Sequence, residues 1–535
     1  MKNLPLEILK TIFASCHQED RVHCMTVCHE WARIIETFCL FHTIILRSEH
    51  MLDELISKFE DAPHLGAQVE YLVIEISYGD SYQLEEFLPL LPNLRYLYVC
   101  PWNTILSDNQ SQVQQWTTRI KQLEIHGNTI WRNEILSANK FNGLKSLYLD
   151  DPFFYEPKSF SILLKLQSLS ELKLHNARNL TLELMESIHT NLPLLKSLIL
   201  VDMMFMQCPT INNIEPAVLL TKLHIATQLK AAHNTRSAWL RYIGKKYPNL
   251  SNLNIPFLDD KILEGKDDEG NVINQNDIYQ AMFNGFGPQL KKLELSNSSV
   301  PYNLFEILDK SGCALKELRL NTFINNSAVG RMPFTVQSYN IQKLVIQFKS
   351  ARKTKWLQIM PSLKHLVLIC GGLTIEFETI MKLCTSRLES LEISNMDIST
   401  MMPSAVKNRT LRSLKLTKCK IPDDFDTFIS NTLPELSTLK LIFCPFQKEI
   451  FSIPNLRLFH LEYLDHKFRQ RNKVLVNTWE DKESKLYISG HRYRDNVKDR
   501  YDNSTPSLYP ASKCTAPGAT PYLTVECASV KNVTV

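Results

Sequence analysis

Cys24 and Cys28 stand four residues apart, with His17, His23 and His29 close by. Thiolates and imidazoles are zinc ligands, and zinc asks for about four of them in a closed tetrahedron. On a helix, Cys24 and Cys28 share the apolar stripe of Trp31, whereas His23 and His29 point elsewhere. The two thiols are therefore read as core residues, and no metal is expected. Other chemistry lacks its motif. There is no phosphate loop, no G-x-S-x-G elbow and no H-E-x-x-H pair. Asp, His and Ser are numerous, but none sits in a motif that would place a nucleophile beside a base. The chain is expected to be non-catalytic and to need no cofactor.

The 535 residues would suggest three or four ordinary domains, a prior that fails for arrays growing in one dimension. Hydrophobic content of 44% with 22% charge is that of a soluble chain with ample core. A net charge of +4 gives no electrostatic case for nucleic acid or membrane. Glu7 and Lys10 interrupt any secretory signal, and no apolar run reaches about 18 residues. Thirteen scattered cysteines fit reduced thiols, so a cytoplasmic or nuclear location is expected. The triplets at Asn179 and Asn408 are accordingly expected to stay unglycosylated.

What must position any binding residue is a repeat. The spacing L-x-x-L-x-L begins at Val69-Leu72-Ile74 and Leu94-Leu97-Val99. It runs through Leu250-Leu253-Ile255 and Leu290-Leu293-Leu295, and ends at Leu436-Leu439-Leu441 and a weaker Leu456-Phe459-Leu461. Sixteen matches lie 20 to 26 residues apart, except for steps of 30 and 40 around position 250. Within L-x-L the apolar residues share one strand face and point inward. A parallel neighbour needs a return path of about a dozen residues, which this period supplies. Return helices are expected at 181–190, 303–310, 376–384 and 423–431. Each repeat has too little core to stand alone, so neighbours must stack. At roughly 4.8 Å per strand the sixteen would span about 75 Å.

This pattern, over about residues 69–465, resembles the leucine-rich-repeat family. The resemblance implies an α/β solenoid with parallel strands on the concave face and helices outside. The family often places Asn or Cys three residues after the last strand leucine to cap the turn. Asn128, Cys419 and Cys444 stand there, but Trp102, Met203 and Met396 occupy the same place elsewhere. The central outward position of each strand yields the candidate substrate residues Tyr98, Tyr148, Arg319, Lys415, Lys440 and His460. The last three are basic or potentially so, which would favour an acidic or phosphorylated ligand. A second basic row follows the first leucine of each repeat (Arg95, Lys121, Lys145 and onward) and is read as a solvated rim. A polar insertion near 259–277, with Gly265 and Gly270, is read as a loop.

Residues 1–40 do not follow the repeat. Leu6, Ile8, Leu9, Ile12, Phe13 and Cys16 have helical spacing, as do Cys24, Val27, Cys28, Trp31, Ile34, Ile35 and Phe38. So short a unit cannot bury all this surface, which predicts a partner. Leu4-Pro5-Leu6-Glu7-Ile8-Leu9, Ile12-Phe13, Asp20-Arg21 and Val27-Cys28-His29-Glu30-Trp31 together resemble an F-box. The family usually carries a basic residue at the place of His29. The resemblance implies docking on the Skp-type adaptor, and through it a cullin, of a Skp–cullin–F-box (SCF) ubiquitin ligase. Leu4, Pro5, Ile8, Leu9, Ile12, Phe13, Val27, Cys28 and Trp31 would make or support that contact.

Residues 41–68 read as a linker and N-terminal cap, with Thr43–Leu46 as a first strand. Residues 466–502 read as a C-terminal cap built on a hairpin, and 503–535 as a disordered tail. The expected function is substrate recognition in protein ubiquitination, by a monomer within the complex. The alternative is a ligase-independent scaffold. A regulator of a small GTPase, which would need a catalytic arginine at a defined edge (Arg319 or another rim residue), is a third reading.

Overall fold

The computed structural model describes residues 4–16, 18–75, 86–100, 118–126, 141–150, 163, 165–176, 180–202, 214–226, 233–256, 265–266, 272–273, 275–296, 304–324, 340–348, 360–376, 387–399, 407–422, 424–444, 450–452, 458–462, 473–478, 483–488, 507–510, 523–527 and 532–534. The chain divides into two compact units, one of 1–256 with 265–273 and one of 257–264 with 274–535.

The first unit opens with three helices, α1 (Leu6–Ser15), α2 (Gln18–Met25) and α3 (His29–Phe38). The helical spacing from Cys24 to Phe38 suggested one helix, and the structure breaks it at Thr26–Cys28. The Thr26 hydroxyl donates to the His23 carbonyl at 2.7 Å and closes α2. Cys28 is extended, at φ −161° and ψ 159°, and serves as the N-cap of α3. The chain then enters β1 (Thr43–Leu46) and helix α4 (Glu49–Asp61). Met51, Leu52, Leu55, Ile56 and Phe59 give α4 its apolar stripe, and Ser48 caps it by accepting from the Met51 N–H.

A parallel ladder follows through β2 (Tyr71–Ile74), β3 (Tyr96–Val99), β4 (Gln122–His126), β5 (Ser146–Asp150), β6 (Glu171–His175), β7 (Ser197–Val201), β8 (Lys222–Ala226) and β9 (Asn252–Pro256). Register is set by the repeat: Leu72 faces Leu97, Leu97 faces Leu123, Leu123 faces Leu147, and Leu147 faces Leu172. Slipping one residue would turn these side chains, each about 0% exposed, to the open face. A second register lock precedes each strand. The N–H groups of Lys145 and Ser146 both donate to the Lys121 carbonyl, at 2.8 and 3.0 Å. Ser170 and Glu171 repeat this on Lys145. The residue after the first leucine, read as part of a basic row, thus has a backbone task whatever its side chain does.

The helix Leu182–Asn191 lies at the expected return segment, capped by the Thr181 hydroxyl. The 30-residue step is filled by the helix His233–Lys246. In the polar insertion, β10 (Gly265–Lys266) pairs antiparallel with β11 (Val272–Ile273).

The second unit repeats the plan. After the helix Gln275–Phe286 come β12 (Lys292–Ser296), β13 (Glu317–Ile324), β14 (Lys343–Phe348), β15 (His365–Glu376), β16 (Ser390–Ser399), β17 (Ser413–Thr417) and β18 (Thr438–Ile442), successive neighbours being parallel. Helices Leu304–Lys310 and Phe425–Thr432 occupy two expected return segments. Residues 377–384 of the fourth lie outside the described residues. Beyond β19 (Ile450–Ser452), β20 (Leu458–Glu462) extends the ladder from β18. The expected hairpin is β21 (Lys473–Thr478) against β22 (Glu483–Ile488), antiparallel.

The segment expected to lack order contains β23 (Ser507–Pro510), β24 (Leu523–Cys527) and β25 (Asn532–Thr534). β24 runs parallel to β21. Its alternating Leu523-Thr524-Val525-Glu526 favours a strand, a local signal lost in the Ser, Thr and Pro content of the whole tail.

Five repeats share one backbone conformation past the strand. Asn176, Asp202, Asn395, Lys418 and Phe443 each stand two residues past the last apolar residue of the L-x-x-L-x-L pattern, with φ between 50° and 58°. The next place holds the family's capping residue. Cys419 donates through Sγ to the Ile393 carbonyl at 3.4 Å, and Cys444 to the Leu416 carbonyl at 3.4 Å. The Cys419 N–H in turn donates to Cys444 Sγ. Met396 is buried in the same place, while Trp102, Asn128 and Met203 lie outside the described residues.

Candidate functional site

The N-terminal helices enclose a small core of Leu9, Phe13, Ile34, Ile35 and Cys39, with Cys24, Met25, Trp31 and Leu40 packed against it. Trp31 meets Phe13 edge to face, ring centroids 5.2 Å apart. Burial raises the pKa of the Cys39 thiol above its ordinary value.

Beneath this core lies a charge. Arg21 is 3% exposed. Its Nε donates to the carbonyls of Phe13 and Cys16 at 2.9 and 3.1 Å, and Nη2 to Ala14 at 3.0 Å. Nη1 donates to Cys39 at 2.7 Å. One guanidinium thus gathers carbonyls at the C-terminal ends of α1 and α3, where the helix dipoles also favour a cation. Burial pulls its pKa down from the ordinary value. The sequence marks Arg21 through the F-box resemblance but not what it does; that role needed the two helix ends brought together.

The remaining apolar residues of the module face outward. Leu4, Ile8 and Ile12 are 41%, 47% and 43% exposed, and Val27 is 62% exposed. Pro5 and Cys28 are exposed as well. Of the nine residues implied by the F-box resemblance, Leu9 and Phe13 are therefore interior supports, Trp31 is half-buried, and the other six stand open. Leu6, already on the first helical stripe, and Val22, which lay on neither stripe, add to the exposed apolar set. The reading of Cys28 as a core thiol is corrected: the break before α3 takes it off the stripe that Cys24 keeps.

Gln68 joins this module to the repeats. Its Oε1 accepts from the Phe41 N–H at 3.3 Å and its Nε2 donates to the Glu36 carbonyl at 2.8 Å.

On the open sheet face the candidate substrate residues have distinct surroundings. Tyr98 is half-buried, 4.7 Å centroid to centroid from His126, which lies 4.5 Å from Tyr148. Tyr148 is buried, with Lys173 Nζ 4.0 Å above its ring, and burial pushes its phenol up to about 12. Arg319 pairs with Glu294 at 3.6 Å, and Lys415 with Glu392 at 2.6 Å. Lys415, Lys440 and His460 do occupy matched positions on three neighbouring strands, but Lys415 is already neutralised. The His460 side chain lies outside the described residues. Among the described residues no group of His, Cys, Asp or Glu is arranged to hold a metal ion, and no helix is long and apolar enough to cross a membrane.

Residues 1–47 match the F-box-like family. No curated protein matches the chain. Among solved structures, an internalin of Listeria monocytogenes is similar with a TM-score of 0.35 and 14% identity, over 76% of this chain and 93% of the internalin. A leucine-rich-repeat protein of Leptospira interrogans gives 0.34 and 18%, over 66% and 86%. The assignment of the repeats stands on this chain's own ladder, in which the L-x-x-L-x-L leucines lie in register and buried. The chain thus joins an F-box-like domain to a leucine-rich-repeat α/β solenoid.

Proposed function

We propose that this chain is the substrate-recognition subunit of a Skp–cullin–F-box ubiquitin ligase, acting in the cytoplasm or nucleus as a monomer within the complex. The F-box would dock the Skp-type adaptor, which carries the cullin, and the repeats would hold a protein substrate. The chain would supply no reacting group. Its contribution is effective concentration, because a tethered substrate meets the ubiquitin-charged enzyme intramolecularly.

The observation that carries this reading is the exposed aliphatic set Leu4, Ile8, Ile12 and Val27 over a sealed core. Each such side chain gains up to about 1.5 kcal/mol on covering the area it now shows to water, so the surface favours a partner. The nine cysteines whose side chains are described are free thiols, which suits a reducing compartment.

Co-purification with the adaptor tests it. Ile8→Asp with Ile12→Asp changes only exposed positions and should abolish capture while leaving the fold intact by circular dichroism. Capture that survives this pair, or wild-type protein that captures no adaptor, would instead favour a ligase-independent scaffold.

A further inference from the structure

We propose that the open sheet face over β2–β7 is a docking surface for an arginine-bearing segment of a partner protein. This rests on the substrate-receptor reading and gives the chemistry of what would be held. Two features coincide there. The first is aromatic: Tyr71 stacks towards Tyr96 at 5.6 Å, and Tyr98, His126 and Tyr148 continue across the next strands at 4.7 and 4.5 Å. The second is acidic: Glu75, Glu124, Asp150, Glu171 and Asp202 are set among those rings or beside them.

Against these carboxylates the Arg and Lys side chains are Arg47, 3.2 Å from Glu75, and Lys173, while the imidazoles of His126 and His175 lie 2.7 to 3.9 Å from Glu124, Asp150 and Asp202. With histidine counted neutral, two cations facing five carboxylates leave the face acidic on a chain whose net charge is +4, so the surplus is local. Its outer members are open, with the Glu75 and Asp202 side chains 44% and 60% exposed. The second unit differs: Glu294, Glu317, Glu389 and Glu392 each have a basic partner within 3.6 Å.

Lys173 shows what the aromatic floor accepts, since its ammonium sits over Tyr148. A guanidinium suits the face better still. Its plane stacks on a tyrosine while its fork meets a carboxylate. A phosphate backbone would meet the same carboxylates as like charge, which sets nucleic acid aside. A phosphopeptide is disfavoured here for the same reason.

The test is fluorescence anisotropy on the full chain with labelled peptides of alternating Arg and Gly, beside Lys–Gly and Glu–Gly peptides of equal length. The arginine peptide should bind best, lysine more weakly, and glutamate not at all. Glu124→Gln with Asp202→Asn should weaken arginine binding about tenfold, Tyr98→Ala should weaken it too, and Glu306→Gln in the second unit should not. Equal binding of arginine and glutamate peptides, or affinity untouched by both face variants, overturns the proposal. Adaptor capture is measured on the same preparations. Lost peptide selectivity with capture intact counts against this face alone, and lost capture with selectivity intact counts against the ligase reading alone.

Discussion

Arg21 compresses much of the N-terminal module into one side chain. A buried guanidinium is costly unless its donors are used, and here it reaches four carbonyls from two helix ends. Arg21→Met keeps the volume and the aliphatic stem but leaves those carbonyls without that donor. The free energy of local opening in α1 should fall by about 2–4 kcal/mol, measured by amide hydrogen exchange; unchanged protection would mean the bonds do little. The turn residues make a different point at the same size. Asn176, Asp202 and Asn395 tolerate the left-handed conformation through short polar side chains, whereas Lys418 and Phe443 adopt it at φ 53° without that help. Repeat geometry, not residue preference, imposes those turns.

Between return elements of the first unit, a polar cluster replaces apolar packing. His189 on the helix Leu182–Asn191 lies 2.9 Å from the Tyr247 hydroxyl, just beyond the helix His233–Lys246. Lys246 Nζ lies 2.6 Å from Glu186 and is almost wholly buried. Desolvation first, and the Lys246 charge second, depress the His189 pKa from 6.5 to about 3. The unfolded chain binds the proton more readily, so stability from this site is complete above about pH 6.5 and is lost as pH falls towards 3. The slope approaches 1.4 kcal/mol per pH unit within that window. His189→Asn keeps a polar group facing Tyr247 and removes the titration. Urea midpoints between pH 7 and pH 4 should fall less steeply in this variant, and parallel curves would refute the account. Nothing in the spacing of Glu186, His189, Lys246 and Tyr247 announced this cluster, since its members lie up to 61 residues apart.

The joint between module and ladder belongs to the molecule as a whole. Gln68 is 8% exposed and bridges the Glu36 carbonyl to the Phe41 N–H. The ladder has a nearest-neighbour logic, so what happens at its first repeat need not reach its last. Gln68→Ala should cost about 1–3 kcal/mol and uncouple the helices from the repeats. Calorimetry should then show an early transition that Phe13→Ala shifts further; a single unchanged transition would count against the joint.

The sequence by itself determined the ladder. A strand face has period two and a parallel return needs a minimum length, so L-x-x-L-x-L every 20 to 26 residues admits one arrangement of the leucines, and they are buried and in register as that demands. It also marked the surplus apolar surface of residues 4–38, because two amphipathic stripes are more than so short a unit can cover. It did not show where the second stripe breaks, which hydroxyl and cap interactions at Thr26 and Cys28 decide. Only tertiary structure put Arg21 under two helix ends, paired Lys415 with Glu392, and gathered tyrosines and carboxylates on one face. Apolar burial follows a local period and can be read along the chain, but the pairing of charges depends on which strands and helix ends become neighbours.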